Sequence, residues 1–241
     1  MGMAKLDQHD AFRLRRTFGD MDDFRYYTTT VEGWTSVLNG SATIAAGDGN
    51  CGILTMSAID STNNRELYLK QTNKLFTFAA GKPISIEARL QFTEANTNAA
   101  NVAFGVASSV ANGLIVDDGA GMATSGSFAS IFKVDGGTVW KTASSVGSTQ
   151  NISTSTTTAG GASYQTVRID IEPVSATIAE ITYYVNDIQL LTSGGRPGQS
   201  MIKDQLTYTG AAAMTLFAGL KNGSTSAEVL LIDYIAWEFL R

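Results

Sequence analysis

The chain is short of several things. It holds one cysteine, Cys51, and one histidine, His9, in 241 residues. A single cysteine excludes an intrachain disulfide, and a free thiol fits a chain folded in the cytosol. Cys51 is expected to be a small buried filler. With its one histidine in the first ten residues, the body is left without a nucleophile–histidine triad or a Cys/His zinc cluster. Charged residues make up 16% of the chain, against a norm of about 25%. The net charge of −5 argues against a body that grips nucleic acid or anionic lipid, because such binding needs a basic field. Long apolar runs are also missing. The most apolar window, 99–116, is broken by Asn101, Ser108, Ser109, Asn112 and Gly113, and reads as two strands with a turn rather than a membrane span. The opening MGMAKLDQHDAFRLRR has no apolar secretory core, and Leu6 stands where a myristoylation motif needs a hydroxyl.

What is present is β texture. Gly, Ser, Thr and Ala fill the space that charge leaves, and a 44% apolar share supplies a core for one large domain. In GKPISIEARLQF, Ile84, Ile86, Ala88 and Leu90 face one way and Ser85, Glu87, Arg89 and Gln91 the other, which predicts a strand with one buried face. YQTVRIDIEP repeats the pattern and is ended by Pro173. Hairpins are expected at Asp135-Gly136-Gly137 and Asn186-Asp187, and turns at 47–50 and at Lys221-Asn222-Gly223. A strand is expected to open at Asp22 and, after a Gly-centred turn, deliver Trp34. The Thr- and Ser-rich stretch 149–162 reads as either a long loop or a flat polar strand. Residues 1–19 stand apart as an N-terminal arm before a body of 20–241. The closing AEVLLIDYIAW is apolar on both faces, so it needs partners on both edges or faces, most economically inside a sheet beside an early strand.

These segments, in this order, resemble a concanavalin A-like (laminin G-like) jelly roll. The resemblance is carried by DDF…EGWTSV, GDGNCGILTMS, YQTVRIDIEP, EITYYVNDIQLL and the closing LLIDYIAW. It covers most of 20–241 and implies an all-β, two-sheet antiparallel sandwich with its first and last strands adjacent.

Some members of that family hydrolyse glycans with a signature resembling Glu-x-Asp-x-Glu on one strand. Here the matching positions read Arg168-Ile169-Asp170-Ile171-Glu172. An arginine in the first position cannot attack a sugar carbon, and hydrolysis needs two carboxyl groups in different roles. The expectation is therefore no enzyme and no catalytic residue. The loops Asp117-Asp118-Gly119 and Asp48-Gly49-Asn50 offer oxygen ligands but no complete calcium set, and turn formation accounts for both. No metal site and no cofactor is expected.

Two functions remain. The first is a structural virion protein, resembling the jelly-roll domains that tailed phages carry as capsid decoration or cement proteins. Its partners would be the major capsid protein and neighbouring copies of itself. The chain would be made in the host cytoplasm and placed as a homo-oligomer on the capsid surface. In the arm, Phe12, Leu14 and Phe18 would fill pockets, while Arg13, Arg15 and Arg16 would pair with acidic partner surface. The alternative is a lectin-like carbohydrate-binding module using Trp140, Tyr164, Tyr184 and Tyr208 as aromatic platforms, with Trp34 and Trp237 in the core.

Overall fold

A computed structural model describes residues 17–28, 33–47, 52–58, 61–94, 98–192, 200–209 and 211–240. His9, Asp48-Gly49-Asn50, Cys51 and the arm residues Phe12, Arg13, Leu14, Arg15 and Arg16 lie outside these.

The described residues form two antiparallel sheets packed as a jelly-roll sandwich, with no α-helix among them. The nine-stranded sheet runs β15 (Ile188–Gln189), β14 (Ile178–Val185), β13 (Gln165–Pro173), β6 (Ile84–Thr93), β18 (Val229–Leu240), β4 (Ile53–Ser57) and β3 (Thr43–Gly47). In addition β1 (Thr17–Asp22) pairs with β18, and β16 (Lys203–Thr207) with β14. The seven-stranded sheet runs β12 (Thr149–Thr158), β11 (Val139–Val146), β10 (Phe128–Lys133), β7 (Ala100–Ala107), β17 (Thr215–Asn222), β5 (Glu66–Gln71) and β2 (Trp34–Leu38). A small ribbon of β8 (Ile115–Val116) and β9 (Gly121–Met122) flanks a 3₁₀ turn at Asp117–Gly119.

The alternating segments fold as their period requires. β6 buries Ile84, Ile86, Ala88 and Leu90 and leaves the intervening polar residues part-exposed. β13 buries Val167, Ile169 and Ile171. At the β14–β15 turn, Asn186 and Asp187 take positive φ values of 51° and 62°, the conformation a tight hairpin demands. The closing strand β18 lies inside its sheet, with β6 along one edge and β4 and β1 sharing the other. A register shift between Ile232 and Tyr234 lets its inward set change from Leu230 and Ile232 to Ile235. The Thr-rich stretch resolves as a polar strand, β12, at the edge of its sheet.

The opening strand falls earlier than the sequence suggests. It ends at Asp22 instead of starting there, and residues 23–28 are bends and coil. Thr17 to Gly19, assigned to the arm, pair with Leu240 to Glu238 and so are part of the sandwich.

One sheet is buried on both faces. Inside the sandwich, Val102, Phe104, Val106, Ile131, Leu216 and Leu220 join the main core. On the other side, Tyr68, Ala103, Ala107, Phe128, Phe132 and Phe217 form a second cluster, with Val110, Leu114, Ile115 and Met122 above them. Residues 110–122 are therefore a roof over the seven-stranded sheet. Gly219 is what lets this layer close: a Cβ there would stand 2.6 Å from Cδ1 of the Tyr68 ring.

A polar latch holds the roof. Lys221, buried in β17, donates to Ile115 O at 2.8 Å and pairs with Asp117, while Glu66 lies 3.6 Å away. The Tyr68 hydroxyl donates to Glu66 Oε2 at 2.7 Å and accepts the Ile115 N–H at 3.0 Å. Glu66 also accepts the Gly113 N–H at 2.8 Å. Burial first, and the adjacent Glu66 second, push the Tyr68 phenol well above its ordinary range, so it acts as a fixed donor.

Candidate functional site

With the middle of the seven-stranded sheet roofed, the broadest exposed ground is the outer face of the nine-stranded sheet and the end of the sandwich where β18 finishes. On that outer face the antiparallel registers stack polar residues in rows, with neighbouring strands roughly 4.8 Å apart. One row crosses Glu238, Ser85, Asp170 and Thr182; the next crosses Ala236, Glu87, Arg168 and Tyr184. A third brings together Tyr234, Arg89 and Thr166.

Two arginines organise these rows. Arg168 reaches Asp187 at 2.9 Å, Asp170 at 3.4 Å and Glu87 at 4.0 Å, and its guanidinium carbon sits 4.3 Å from the centre of the Tyr184 ring. Arg89 pairs with Asp233 and stands 4.5 Å from the Tyr164 ring centre. Ser85 donates to Asp170 at 2.6 Å, and Tyr234 to Glu87 at 2.6 Å. Burial, reinforced by the bond to Glu87, pushes the Tyr234 phenol up to about 12. Tyr164 is also raised, by burial first and by Asp233 second, with Arg89 opposing. Both tyrosines paired with arginine keep part of their surface in solvent.

Two depressions meet at the end of β18. One, of about 400 Å³, is lined by Ser85, Arg168, Asp170, Glu172 and Glu238 among others. The second, of about 330 Å³, is lined by Leu75, Phe76, Thr77 and Lys82. They share Ile84, Phe239 and Leu240.

The structure separates the aromatic candidates. Tyr164 and Tyr184 lie on the outer face of the nine-stranded sheet. Trp140 does not: it is fully buried, packs edge-on against Phe92 at 5.8 Å and donates to Gln165 at 3.1 Å, so it is core and not a platform. Tyr208 is also buried, because its hydroxyl reaches back to the Ser175 carbonyl and its ring meets Phe78. Trp34 is buried and Trp237 packs against the same core. Phe18, expected on a free arm, is held in β1 with its ring 5.3 Å from that of Phe239 and 38% of its surface exposed.

Asp170 is committed to Ser85 and Arg168, whereas Glu172 is exposed. Asp117 pairs with Lys221. Asp118, at a φ of 54°, accepts from Asn63 and Asn64, so both acids of that loop serve the turn and the roof. No group of three or more metal-ligating side chains occurs among the described residues. Sequence reasoning put Glu87 and Arg89 on an outward face but gave them no role, and it missed Asp233, Tyr234 and Glu238 as members of this face. The signal was available in the outward positions of β6, which lie opposite those of β13.

Neither a protein-family pattern nor a curated protein matches the sequence. Solved structures do match in shape. An endo-1,3-beta-glucanase from Streptomyces sioyaensis superposes with a TM-score of 0.58 and 14% identity, covering 92% of this chain and 95% of that one. The Emp47p carbohydrate recognition domain gives 0.56 and 9%, covering 92% and 96%. A protein of unknown function from Shewanella oneidensis MR-1 gives 0.53 and 10%, covering 100% and 97%. At such identities the likeness is one of fold, and it places this chain among the concanavalin A-like jelly-roll sandwiches.

Proposed function

We propose that the chain is a non-enzymatic structural protein of a virion, a decoration or cement protein bound to the outer shell of a tailed-phage capsid beside other copies of itself. The observation that carries this reading is the roof. The middle of the outer face of the seven-stranded sheet, over β5, β7, β10 and β17, is covered by the chain's own residues 110–122, so that part of the face serves rigidity rather than ligand entry. The remaining surface suits many weak contacts repeated over a lattice. β2, β3 and β12, which end their sheets, carry no charged residue, unlike the flanking strands β1 and β16, and charge is what ordinarily keeps sheet edges from associating. Binding summed over neighbouring copies reinforces a shell without any single tight site.

The test is to separate particles from the source lysate on a density gradient after nuclease treatment and quantify the chain in the DNA-containing band. Many copies per particle are expected, and removal of residues 1–16, which leaves β1 intact, is expected to release them. Absence from the band overturns the reading.

A second reading is favoured by one observation, the two arginine-backed tyrosines among carboxylates on the outer face of the nine-stranded sheet. Rings flanked by hydrogen-bonding acids are what a neutral glycan requires, and shape neighbours include a carbohydrate recognition domain and a glucanase. On this reading Tyr164→Ala and Tyr184→Ala each weaken oligosaccharide binding about tenfold in a calorimetric titration. A glycan screen with no saturable binder removes it.

A further inference from the structure

We infer that the arm preceding β1 docks on a second copy of this chain, at the paired depressions where β18 ends. The inference rests on the assembly role above and names the contact between copies.

The two depressions lie on either side of a shared ridge, Ile84, Phe239 and Leu240. One side is apolar, walled by Leu75 and Phe76, and Phe239 meets Phe76 edge-on and Phe18 at a tilt, with ring centres 5.8 and 5.3 Å apart. The other side carries Asp170, Glu172 and Glu238. Each side also has one cation, Lys82 and Arg168, and Arg168 is already tied to Asp187 and Asp170. Phe18 and Leu75 leave 38% and 39% of their surface exposed, more than a closed core edge would show.

The arm has the complementary pattern. In Phe12-Arg13-Leu14-Arg15, apolar and basic residues alternate with a period of two, and Arg16 adds a further positive charge. An extended segment of that kind presents Phe12 and Leu14 to one side and Arg13 and Arg15 to the other. Laid along the ridge, the apolar pair enters the Leu75–Phe76 side while the arginines meet Glu172 and Glu238.

The occupant is a neighbour's arm because of where the arm starts. Thr17 is opposite Leu240, and β1 runs antiparallel to β18, so the axis of β1 continued backwards points beyond the end of β18. Sixteen residues precede Thr17, and a chain of that length spans up to roughly 50 Å when extended, enough to reach an adjacent copy.

Two experiments on the full chain test this. In the first, Arg13→Glu with Arg15→Glu is expected to weaken self-association at least about tenfold in sedimentation equilibrium, and adding Glu172→Arg with Glu238→Arg to restore most of it. All four positions are outside the buried core or in the arm, and recovery by the double swap excludes misfolding. In the second, with Cys51 replaced by serine, a Phe12→Cys chain mixed with a Leu75→Cys chain is expected to give a covalent mixed dimer under oxidation. A chain that stays monomeric at every concentration overturns the inference. So does a double-cysteine chain that closes on itself while mixed chains do not join. Unaltered association of the charge-reversed arm overturns it as well. If the chain is on particles but the charge swap has no effect, the coat role stands and this contact falls. A working swap in a chain missing from particles means the converse.

Discussion

Replacing Lys221 by methionine should lower the unfolding free energy by about 3–5 kcal/mol, the range for removing one partner of a buried ion pair. The stem of the side chain is kept, so packing changes little and the loss is one of charge and hydrogen bonding. Three groups are affected. Asp117 is largely in solvent and rehydrates at small cost, but Glu66 is buried and loses its nearest cation. The Ile115 carbonyl loses its donor within a layer that holds no other described partner for it. Because these contacts pin the roof, the damage should be directional. Hydrogen exchange of residues 110–122 should accelerate more than that of β6 or β13. Pairing Lys221→Met with Glu66→Gln should cost less than the two changes summed, since the buried carboxylate is then neutral. A single-variant loss below about 1 kcal/mol in chemical denaturation would sink the latch as a stabilising element.

Trp140→Ala should cost a similar amount, about 3–5 kcal/mol, for a different reason. Its indole is fully enclosed against Phe92, and truncation leaves a cavity between two β-sheets that cannot collapse freely. The Gln165 side chain, which also accepts the Gly160 N–H, loses one of its partners. Any loss of glycan or particle binding in this variant should follow the loss of folded protein, with binding per folded molecule unchanged. A well-folded variant with a selective binding defect would return Trp140 to the surface.

That residue also shows where the sequence was legible and where it was not. β6 and β13 could be read because alternation of period two has one physical meaning when one face is buried, whereas the adjacency of first and last strands was implied by the resemblance and β1 itself lies earlier than expected. β11 hides its orientation. Its inward face carries Trp140, Thr142 and Ser144, and its outward face carries Ala143. Ser144 is accommodated because it donates to Asp204, which also accepts from Tyr183 at 2.8 Å. With Thr142 and Ser144 beside Trp140 on one face and Val139 and Ala143 among Lys141 and Ser145 on the other, neither face is uniformly apolar, so alternation did not mark Trp140 as core.

The roof was hidden for a related reason. Lys221 sits beside Asn222 and Gly223, where a lysine normally marks a turn, yet it is buried beneath the roof as the single cation of β17. Residues 110–122 look like a Gly-rich connector because their apolar members are too sparse to show a period. On the candidate face, Tyr164 and Tyr184 could be proposed from residue type alone. Their arginine partners could not, since Arg89 to Tyr164 and Arg168 to Tyr184 are contacts that only the strand order creates.

The position of β18 has a consequence for how the chain is made. β4 and β6 are separated in their sheet by β18 alone, so neither has its final neighbour until the last strand exists. β6 ends at Thr93 and β18 begins at Val229, 136 residues later. At roughly 5–20 residues per second, the nascent chain waits on the order of ten seconds with that sheet open at its middle. Throughout that interval Ile84, Ile86, Ala88 and Leu90 have one flank uncovered. The sandwich cannot be assembled from its N-terminal end as a growing stack. It closes in a late, long-range step, and the supply of holding chaperones during synthesis, more than the stability of the finished fold, should set how much of it a cell accumulates.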